Sequence, residues 1–277
     1  MGKIEGIANQ ANRCARCRAS VRSVCSLTDC AIHSDIAALS GRRLVAAGQT
    51  ILANGGQAAL VGTVLAGILK VSKTLPDGRE RIVSLLYPGD FFGQLFTASM
   101  DFAVEAATDA ELCVADRLRY ESVIRRHPIL EHAILQSTSR ALAVARESAL
   151  LLSCLNSLER VATYLLVTTG RRDHLLQEAK LQTSHSVAAL GISRADVASY
   201  LGTTIETISR HLHYLEDKGV ILILDSSHFE VLDRDRLQTI AGVSDDDLRL
   251  FMPAELTRTS ESRHLQTAIV LPLHRSK

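Results

Sequence analysis

The sequence predicts an α+β protein in three parts. An N-terminal antiparallel β-roll of the cupin or jelly-roll type forms a sensor domain. A long dimerisation helix follows, then a C-terminal winged helix-turn-helix. Three observations carry this. Residues 43–115 break into short apolar runs separated by Gly, Pro-Asp-Gly and Pro-Gly-Asp punctuation. Pro128 then opens a stretch without Gly or Pro that runs to Cys154. Residues 193–221 read as a helix, a glycine turn and a second helix, with a hairpin pattern after them.

The chain begins with cysteine chemistry. Of six cysteines, four fall at 14, 17, 25 and 30, spaced Cys-x2-Cys-x7-Cys-x4-Cys; the others are Cys113 and Cys154. In a reducing compartment such a cluster holds metal or does redox chemistry more often than it forms structural disulfides. A Cys-x2-Cys pair can turn both thiolates onto one centre. Arg13, Arg16, Arg18 and Arg22 surround the group, and nearby cations favour the thiolate form. Zinc and iron–sulfur both fit four thiolates. The segment 1–32 lacks apolar periodicity, so a ligand from elsewhere is expected to pin it to the body. Cys113, in the strand-like run Ala110-Glu-Leu-Cys-Val-Ala115, is the best candidate. Cys154, in an apolar helical stretch, reads as a small core residue.

The roll comes next. Its runs are Val45 to Leu52 (interrupted by Gly48), Val61 to Leu65, Ile68 to Lys73 and Arg81 to Leu86. Asp77-Gly78 between two such runs is a hairpin signal. The glycines mark turns, and no Walker or dinucleotide fingerprint occurs.

In the long helix, positions 130, 134, 137, 141, 144, 148, 151 and 155 follow a 4-3 spacing and are Leu, Ile, Ser, Ala, Val, Ser, Leu and Leu. This suits a coiled-coil-like homodimer seam. A helix packed on its own sheet gives the same pattern. No acid sits on the seam, so the pair is expected to persist in part without a metal centre.

The C-terminal third carries the sharpest signal. Ser193 and Asp196 resemble a capping box for a helix from Arg194 to Leu201, and Gly202 closes it. Thr203 or Thr204 caps the second helix. There Glu206, Ser209 and Arg210 stand at i, i+3 and i+4 and project together, opposite an apolar stripe of Ile205, Ile208, Leu212 and Leu215. Arg can bond guanine bidentately, Glu can accept from the cytosine amino group, and Ser can contact any base edge. Glu206 could instead be the capping partner of Thr203. Val220 to Leu224 and Phe229 to Leu232 form the wing hairpin.

Composition adds exclusions. Net charge is +1, and residues 171–240 hold eight basic against ten acidic residues. Phosphate contacts with double-stranded DNA must therefore be local, from groups such as Arg194, Arg210, Lys218 and helix N-termini. The sequence has no signal-peptide h-region and no apolar stretch of about 18 residues. A soluble cytoplasmic protein with no membrane partner is expected. None of the ten histidines has a nucleophile or acid partner at catalytic spacing, so no enzyme is expected.

Over residues ~14–242 these parts resemble the CRP/FNR superfamily of bacterial transcriptional regulators, specifically its oxygen-sensing FNR branch. The likeness rests on the N-terminal cysteines and on Ala47-Gly-Gln-Thr-Ile51 and Tyr87-Pro-Gly-Asp-Phe91. It also rests on Leu150-Leu-Leu-Ser153, Glu159-Arg-Val-Ala162 and Tyr200-Leu-Gly202. The branch's reading pattern Glu-x-x-Ser-Arg maps onto Glu206, Ser209 and Arg210 and implies palindromic TTGAT-type sites. The cyclic-AMP branch carries Arg before the Glu and Gly at the Ser position, so Ile205 and Ser209 depart from it. Its ribose- and phosphate-binding phrase is also missing: the chain has Gly93-Gln94-Leu95 and no Arg between 82 and 116. No cyclic nucleotide is expected.

The resemblance implies a [4Fe-4S] cluster held by Cys14, Cys17, Cys25 and Cys113, with Cys30 as the alternative third ligand. It also implies control of anaerobic or microaerobic gene expression by a homodimer. Loss of ligation in oxygen then loosens the helix pair, weakens DNA binding and stops recruitment of RNA polymerase, with the loop Lys73 to Arg81 a polymerase-contact region. The alternative is a zinc- or thiol-redox-switched regulator of the same fold without a cluster. The expected division is 1–32 cysteine-rich segment, 33–125 roll, 126–154 dimerisation helix, 155–242 winged helix-turn-helix and 243–277 tail. In the tail, Ser244-Asp-Asp-Asp-Leu248 begins like a capped helix.

Overall fold

A computed structural model of the chain describes residues 17, 23–27, 30–178 and 187–249. A 3-10 turn, Val24–Leu27, precedes helix α1, Cys30–Leu39. The roll follows as β1 (Ser40–Val45), β2 (Thr50–Leu52), β3 (Leu60–Ala66), β4 (Leu69–Thr74), β5 (Glu80–Leu86), β6 (Phe91–Phe92), β7 (Ala103–Ala106) and β8 (Ala110–Asp116). These make two antiparallel sheets, ordered β1-β8-β3-β6 and β2-β7-β4-β5. The predicted run Val45 to Leu52 is two strands with Gly48 in the turn between them; its φ of 80° is one that β-carbon-bearing residues rarely adopt.

Val45, Val64, Leu69, Phe92, Val104 and Leu112 fill the space between the sheets. The first sheet is buried on its other face as well. Val61 and Ala115 pack there against α1, α2 (Arg117–Arg126) and the start of α3 (Pro128–Cys154), through Ile32, Ile36, Tyr120, Ile124 and Leu130. Burial on both faces explains why Leu60–Ala66 reads as a continuous apolar run.

Asp116 caps α2 by accepting from the Arg119 N–H at 3.0 Å. α2 stops at His127, the residue before a proline, and Pro128 takes the first position of α3, where its missing N–H costs nothing. α3 has 27 residues, about 40 Å at 1.5 Å each. It ends at Leu155. Asn156 and Glu159 then form a reciprocal cap: the Asn156 side chain accepts from Leu158 and Glu159 N–H, and the Glu159 carboxylate accepts from Asn156 N–H.

Beyond lie α4 (Ser157–Glu178), β9 (Val187–Ala189), α5 (Arg194–Leu201), α6 (Ile205–Asp217), β10 (Ile221–Ile223), β11 (His228–Val231), α7 (Arg234–Ala241) and α8 (Asp245–Arg249). The wing is a three-stranded antiparallel sheet, β10-β11-β9; β9 carries no hairpin signal of its own. Ser244 caps α8 through the Asp247 N–H. The C-terminal core includes Ile82 and Leu85 of β5, so one apolar cluster joins the roll to the DNA-binding unit. Among the described residues no helix is long and apolar enough to cross a membrane.

Candidate nucleic-acid interface and thiol site

The reading helix is built as the sequence requires. Ser193 accepts from the Asp196 N–H at 3.0 Å, and Gly202 closes α5 at φ 66°, ψ 39°. Thr204 caps α6 through the Thr207 N–H. Glu206 is thus not the capping-box partner of Thr203. Ile208, Leu212 and Leu215 are buried at 1, 2 and 0% exposure, while Ile205 is 46% exposed. Ile205 therefore lies off the buried stripe to which the 3.6-residue pattern assigns it: it sits in the first turn, beyond the reach of the core.

On the opposite face Glu206 and Arg210 are exposed and Ser209 is half-buried. The Glu206 carboxyl is held below its usual range by its own backbone N–H, the Thr204 hydroxyl and Arg210. It stands ionised, an acceptor only, the state that takes an amino group from a base edge.

Of the expected phosphate contacts, Arg194 has another role. Its Nε donates to the Ser226 carbonyl at 3.1 Å and braces the wing tip. Asp225 organises that tip by accepting from Ser227 and His228 N–H. Lys218 and Arg210 remain at the surface. His211 leaves the reading face and bonds Ser157 at the start of α4, Nε2 to Oγ 2.8 Å. Burial, then Arg210, lowers its pKa, so the ring is held neutral.

The thiols divide. Cys14 lies outside the described residues. Cys17 is half-buried, and Cys30 opens α1. Cys113 is in β8, opposite Arg42 on β1 and Thr63 on β3. Gly62 is the close approach beside it, since a β-carbon there would come within 2.1 Å of the Cys113 carbonyl oxygen.

Cys25 sits on the 3-10 turn, with His33 Nε2 2.8 Å from its carbonyl oxygen. Tyr120, 4% exposed, has its phenol pKa pushed up by burial, then by Cys25 and Cys113. Cys25 packs against the apolar cluster that holds Tyr120, and the charges of Cys25 and Cys113, from distant parts of the chain, both act on its phenol. Among the described residues no three His, Cys, Asp or Glu side chains gather as a metal site. Thiols are the soft donors that iron–sulfur or zinc requires.

The Cys25 turn is docked on the long helix. Val24, 2% exposed, packs against Ala133 of α3, 0% exposed, beside Phe91 and Ile134. A four-residue turn has no periodicity, so this docking is invisible in the sequence.

The predicted dimer seam falls in part on surfaces the chain itself uses. Leu130 is buried against the chain's own core, and Val144, Ser148 and Leu151 line a cavity facing β5. The free stripe carries Leu135, Leu142 and Leu150, at 64, 49 and 56% exposure, with Ala145 and Ala149 between them. The helix has two apolar faces, and the 4-3 count follows the inner one. Cys154 is exposed at the last turn of α3 rather than in the core.

Several polar links were not visible in the sequence. Lys70 on β4 lies 2.9 Å from Glu105 and 3.0 Å from Asp196 of α5. Burial alone lowers the Lys70 pKa, but the two carboxylates outweigh it and raise it. Ile82 N–H of edge strand β5 donates to Ser199 Oγ at 3.2 Å. In the roll, the Gln94 amide is engaged with Asp101, donating at 3.0 Å and accepting its N–H at 2.9 Å.

A Crp-like helix-turn-helix domain model matches residues 159–240, and a cyclic nucleotide-binding domain model matches residues 42–127. A probable transcriptional activator of Rhizobium leguminosarum bv. viciae is 35% identical over 227 residues, covering 81% of this chain and 91% of that protein. The transcriptional activator protein FnrL of Cereibacter sphaeroides is 33% identical over 237 residues, covering 85% and 94%. The solved structure of FixK2 from Bradyrhizobium japonicum superposes with a TM-score of 0.65 at 27% identity, covering 74% of this chain and 99% of that one.

Proposed function

Because the chain belongs to the CRP/FNR family of transcriptional regulators, whose members bind DNA as dimers and are not enzymes, we propose that it senses oxygen through a [4Fe-4S] cluster. In this reading it controls genes at palindromic TTGAT-type sites. The observation that carries the proposal is the docking of the Cys25 turn on α3, beside the cluster that holds Tyr120, whose buried phenol feels both Cys25 and Cys113. Cys14, Cys17, Cys25 and Cys113 would hold the cluster. When bound, it supplies oxygen-labile iron–thiolate chemistry.

The chain's own residues do the rest. Ligation fixes Cys25 beside Cys113 and keeps Val24 seated on Ala133, closing a long loop against the disordered alternative. Release of Cys25 frees the turn and bares the Ala133 surface near the N-terminal end of α3. The outer stripe of Leu135, Leu142 and Leu150 pairs with its copy in a second chain, so a change in α3 packing alters the spacing of the two reading helices. On DNA that spacing must match half-sites about 34 Å apart. Glu206, Ser209 and Arg210 read base edges; the N-terminus of α6 and Lys218 take phosphates.

The roll takes no cyclic nucleotide in this proposal. The Gln94 amide is already paired with Asp101, and no Arg between 82 and 116 offers a phosphate partner. The hairpin tip from Leu75 to Arg79, held by the Leu75 N–H to Arg79 carbonyl bond, is the surface offered to RNA polymerase. A DNA partner puts the protein in the cytoplasm.

Anaerobic purification with iron and sulfide counts, then mobility-shift assays on a TTGAT-N4-ATCAA duplex before and after air, test the proposal. Iron-free protein with oxygen-independent affinity sinks it. One observation favours a second reading: the pair Cys25 and Cys113, which both act on the Tyr120 phenol, also suits a dithiol or zinc switch. A visible iron–thiolate absorption band and metal analysis separate the two.

A further inference from the structure

His213 stands on the reading face with no part yet in the reading. It follows Glu206 by two turns, Ser209 by four residues and Arg210 by three, so helical spacing sets it on their side of α6. Its side chain is 63% exposed. The elements packed on α6 are α4, α5 and β10, and they meet the buried stripe of Ile208, Leu212 and Leu215 on another side of the helix. Nδ1 of His213 lies 3.5 Å from the Glu216 carboxylate. Glu216 is itself fixed, since its other oxygen accepts the Ile223 N–H of β10 at 3.0 Å. A carboxylate anchored by the wing thus stands behind the ring and orients it, and Nε2 is the nitrogen left to meet a partner from outside the chain.

Position along the helix decides what that partner is. A recognition helix enters the major groove by its N-terminal residues, and its later turns leave the bases for the sugar–phosphate backbone. Glu206, Ser209 and Arg210 occupy the first two turns of α6, and His213 is the ninth of its 13 residues. Cations are scarce there. Arg194 is engaged with the Ser226 carbonyl and Asp196 with Lys70. At the near end of α4, Glu159 caps Asn156 and Arg160 holds the Leu155 carbonyl, while His211 is turned to Ser157. β10 carries no charge. The charged neighbours of His213 on its own stretch of chain are Arg210, Glu216, Asp217 and Lys218, two of each sign, so a proton on the imidazole tips the local balance to positive.

We propose that His213 is a further DNA contact: as an imidazolium it takes a backbone phosphate at each half-site, which makes operator binding depend on pH. The inference rests on Glu206, Ser209 and Arg210 as the DNA face, and on neither the cluster nor the TTGAT assignment. Imidazole is the side chain that changes charge in the physiological range. A phosphate bonds the charged ring far better than the neutral one, so proton and DNA bind together. Affinity is therefore greatest at low pH and is lost as pH rises. Acidity acts on the operator directly, without passing through the roll or α3.

The test uses the full-length protein, kept anaerobic, and a duplex that the wild-type protein itself enriches from a random-sequence pool. Affinity is read by fluorescence anisotropy at about pH 6 and about pH 8 over a series of salt concentrations. The wild type should bind about tenfold or more tightly at the lower pH, and its salt slope should steepen by about 0.9 for each phosphate gained. His213→Gln should remove both differences. His213→Lys, which keeps a charge at both values, should bind at the higher pH about as tightly as the wild type does at the lower. A pH dependence that survives in His213→Gln overturns the proposal and moves the effect to another group, such as His228 at the wing tip, 2.9 Å from Asp225. A loss in His213→Gln confined to duplexes with one particular base also overturns it, since that marks a base contact. Arg210→Ala, measured beside these, should weaken binding at both pH values; full affinity there overturns the reading face itself, and the proposal with it.

Discussion

Val24→Ala isolates the link between the thiol site and the long helix, because it leaves every cysteine in place. Val24 is 2% exposed and seats its side chain on Ala133, which is 0% exposed. The substitution removes the equivalent of two methylenes, about 1.6 kcal/mol of transfer free energy at ~0.8 kcal/mol each. The void it leaves raises the cost to about 2–3 kcal/mol. The loss falls on docking of a four-residue turn rather than on the main cores. At 1.4 kcal/mol per decade it shifts that docking equilibrium by roughly 30-fold or more. The assay is the ratio of anaerobic to aerobic affinity for a TTGAT-N4-ATCAA duplex, measured with iron counts on the same preparation. The variant should keep its iron while the ratio falls towards one. Wild-type iron with a wild-type ratio would refute the coupling through Ala133.

Arg210→Ala should cost about 1–3 kcal/mol of operator binding and relax base preference at one position of each half-site, read by mobility shift against substituted duplexes. Cys25→Ser should abolish iron retention while Cys30→Ser leaves it intact in anaerobic iron and sulfide analysis; the reverse result moves the third ligand to Cys30. Acidification should destabilise the protein through His211. Its folded pKa is lowered, first by burial, so below about pH 6.5 the unfolded chain binds a proton that the folded chain refuses. That fall in melting temperature should shrink in His211→Asn. Lys70→Met should loosen the seat of α5 on the roll by about 1–3 kcal/mol, visible as faster hydrogen exchange at the β5 edge.

What the sequence disclosed was local. Ser193, Gly202 and the Glu206–Arg210 face are set by capping, a left-handed backbone and helical spacing, all contained within a few residues. The roll's hairpins were legible for the same reason, through Asp77-Gly78 and Pro88-Gly89. The structure also corrects the reading wherever the decisive partner is distant. The 4-3 pattern on α3 registers any apolar face, so it could not say that Val144 and Leu151 face β5 while Leu135 and Leu142 face outward. Cys154 lies in an apolar run yet is exposed, because the last turn of α3 overhangs the packed core. Strand β9 is three residues long and exists only through its pairing with β11. Lys70 and Asp196 give no pattern at all, since their pairing joins elements more than a hundred residues apart.

The reading unit is tied to the sensor by two routes of different character, which decides where a signal can act. The first is covalent and stiff. α3 runs into α4 through Leu155 and Asn156, where Arg160 clamps the Leu155 carbonyl to the Leu201 carbonyl at the end of α5. Ser157 bonds His211 on the reading helix itself. A rotation of α3 is therefore handed to both helices of the motif together. The second route is a polar seam: Lys70 to Asp196, Ile82 N–H to Ser199 Oγ, and Arg81 to the Ser199 carbonyl at 3.4 Å. Each such bond contributes only about 0.5–1.5 kcal/mol net, rather more where a charge takes part, and water can replace the partners as the seam opens. Beside the seam, however, Ile82 and Leu85 of β5 are buried in the C-terminal core, so a shift of the roll against the reading unit is resisted there by apolar burial as well as at the hinge. Events at Cys25 should therefore reach Arg210 with α3, β5 and the reading unit moving together.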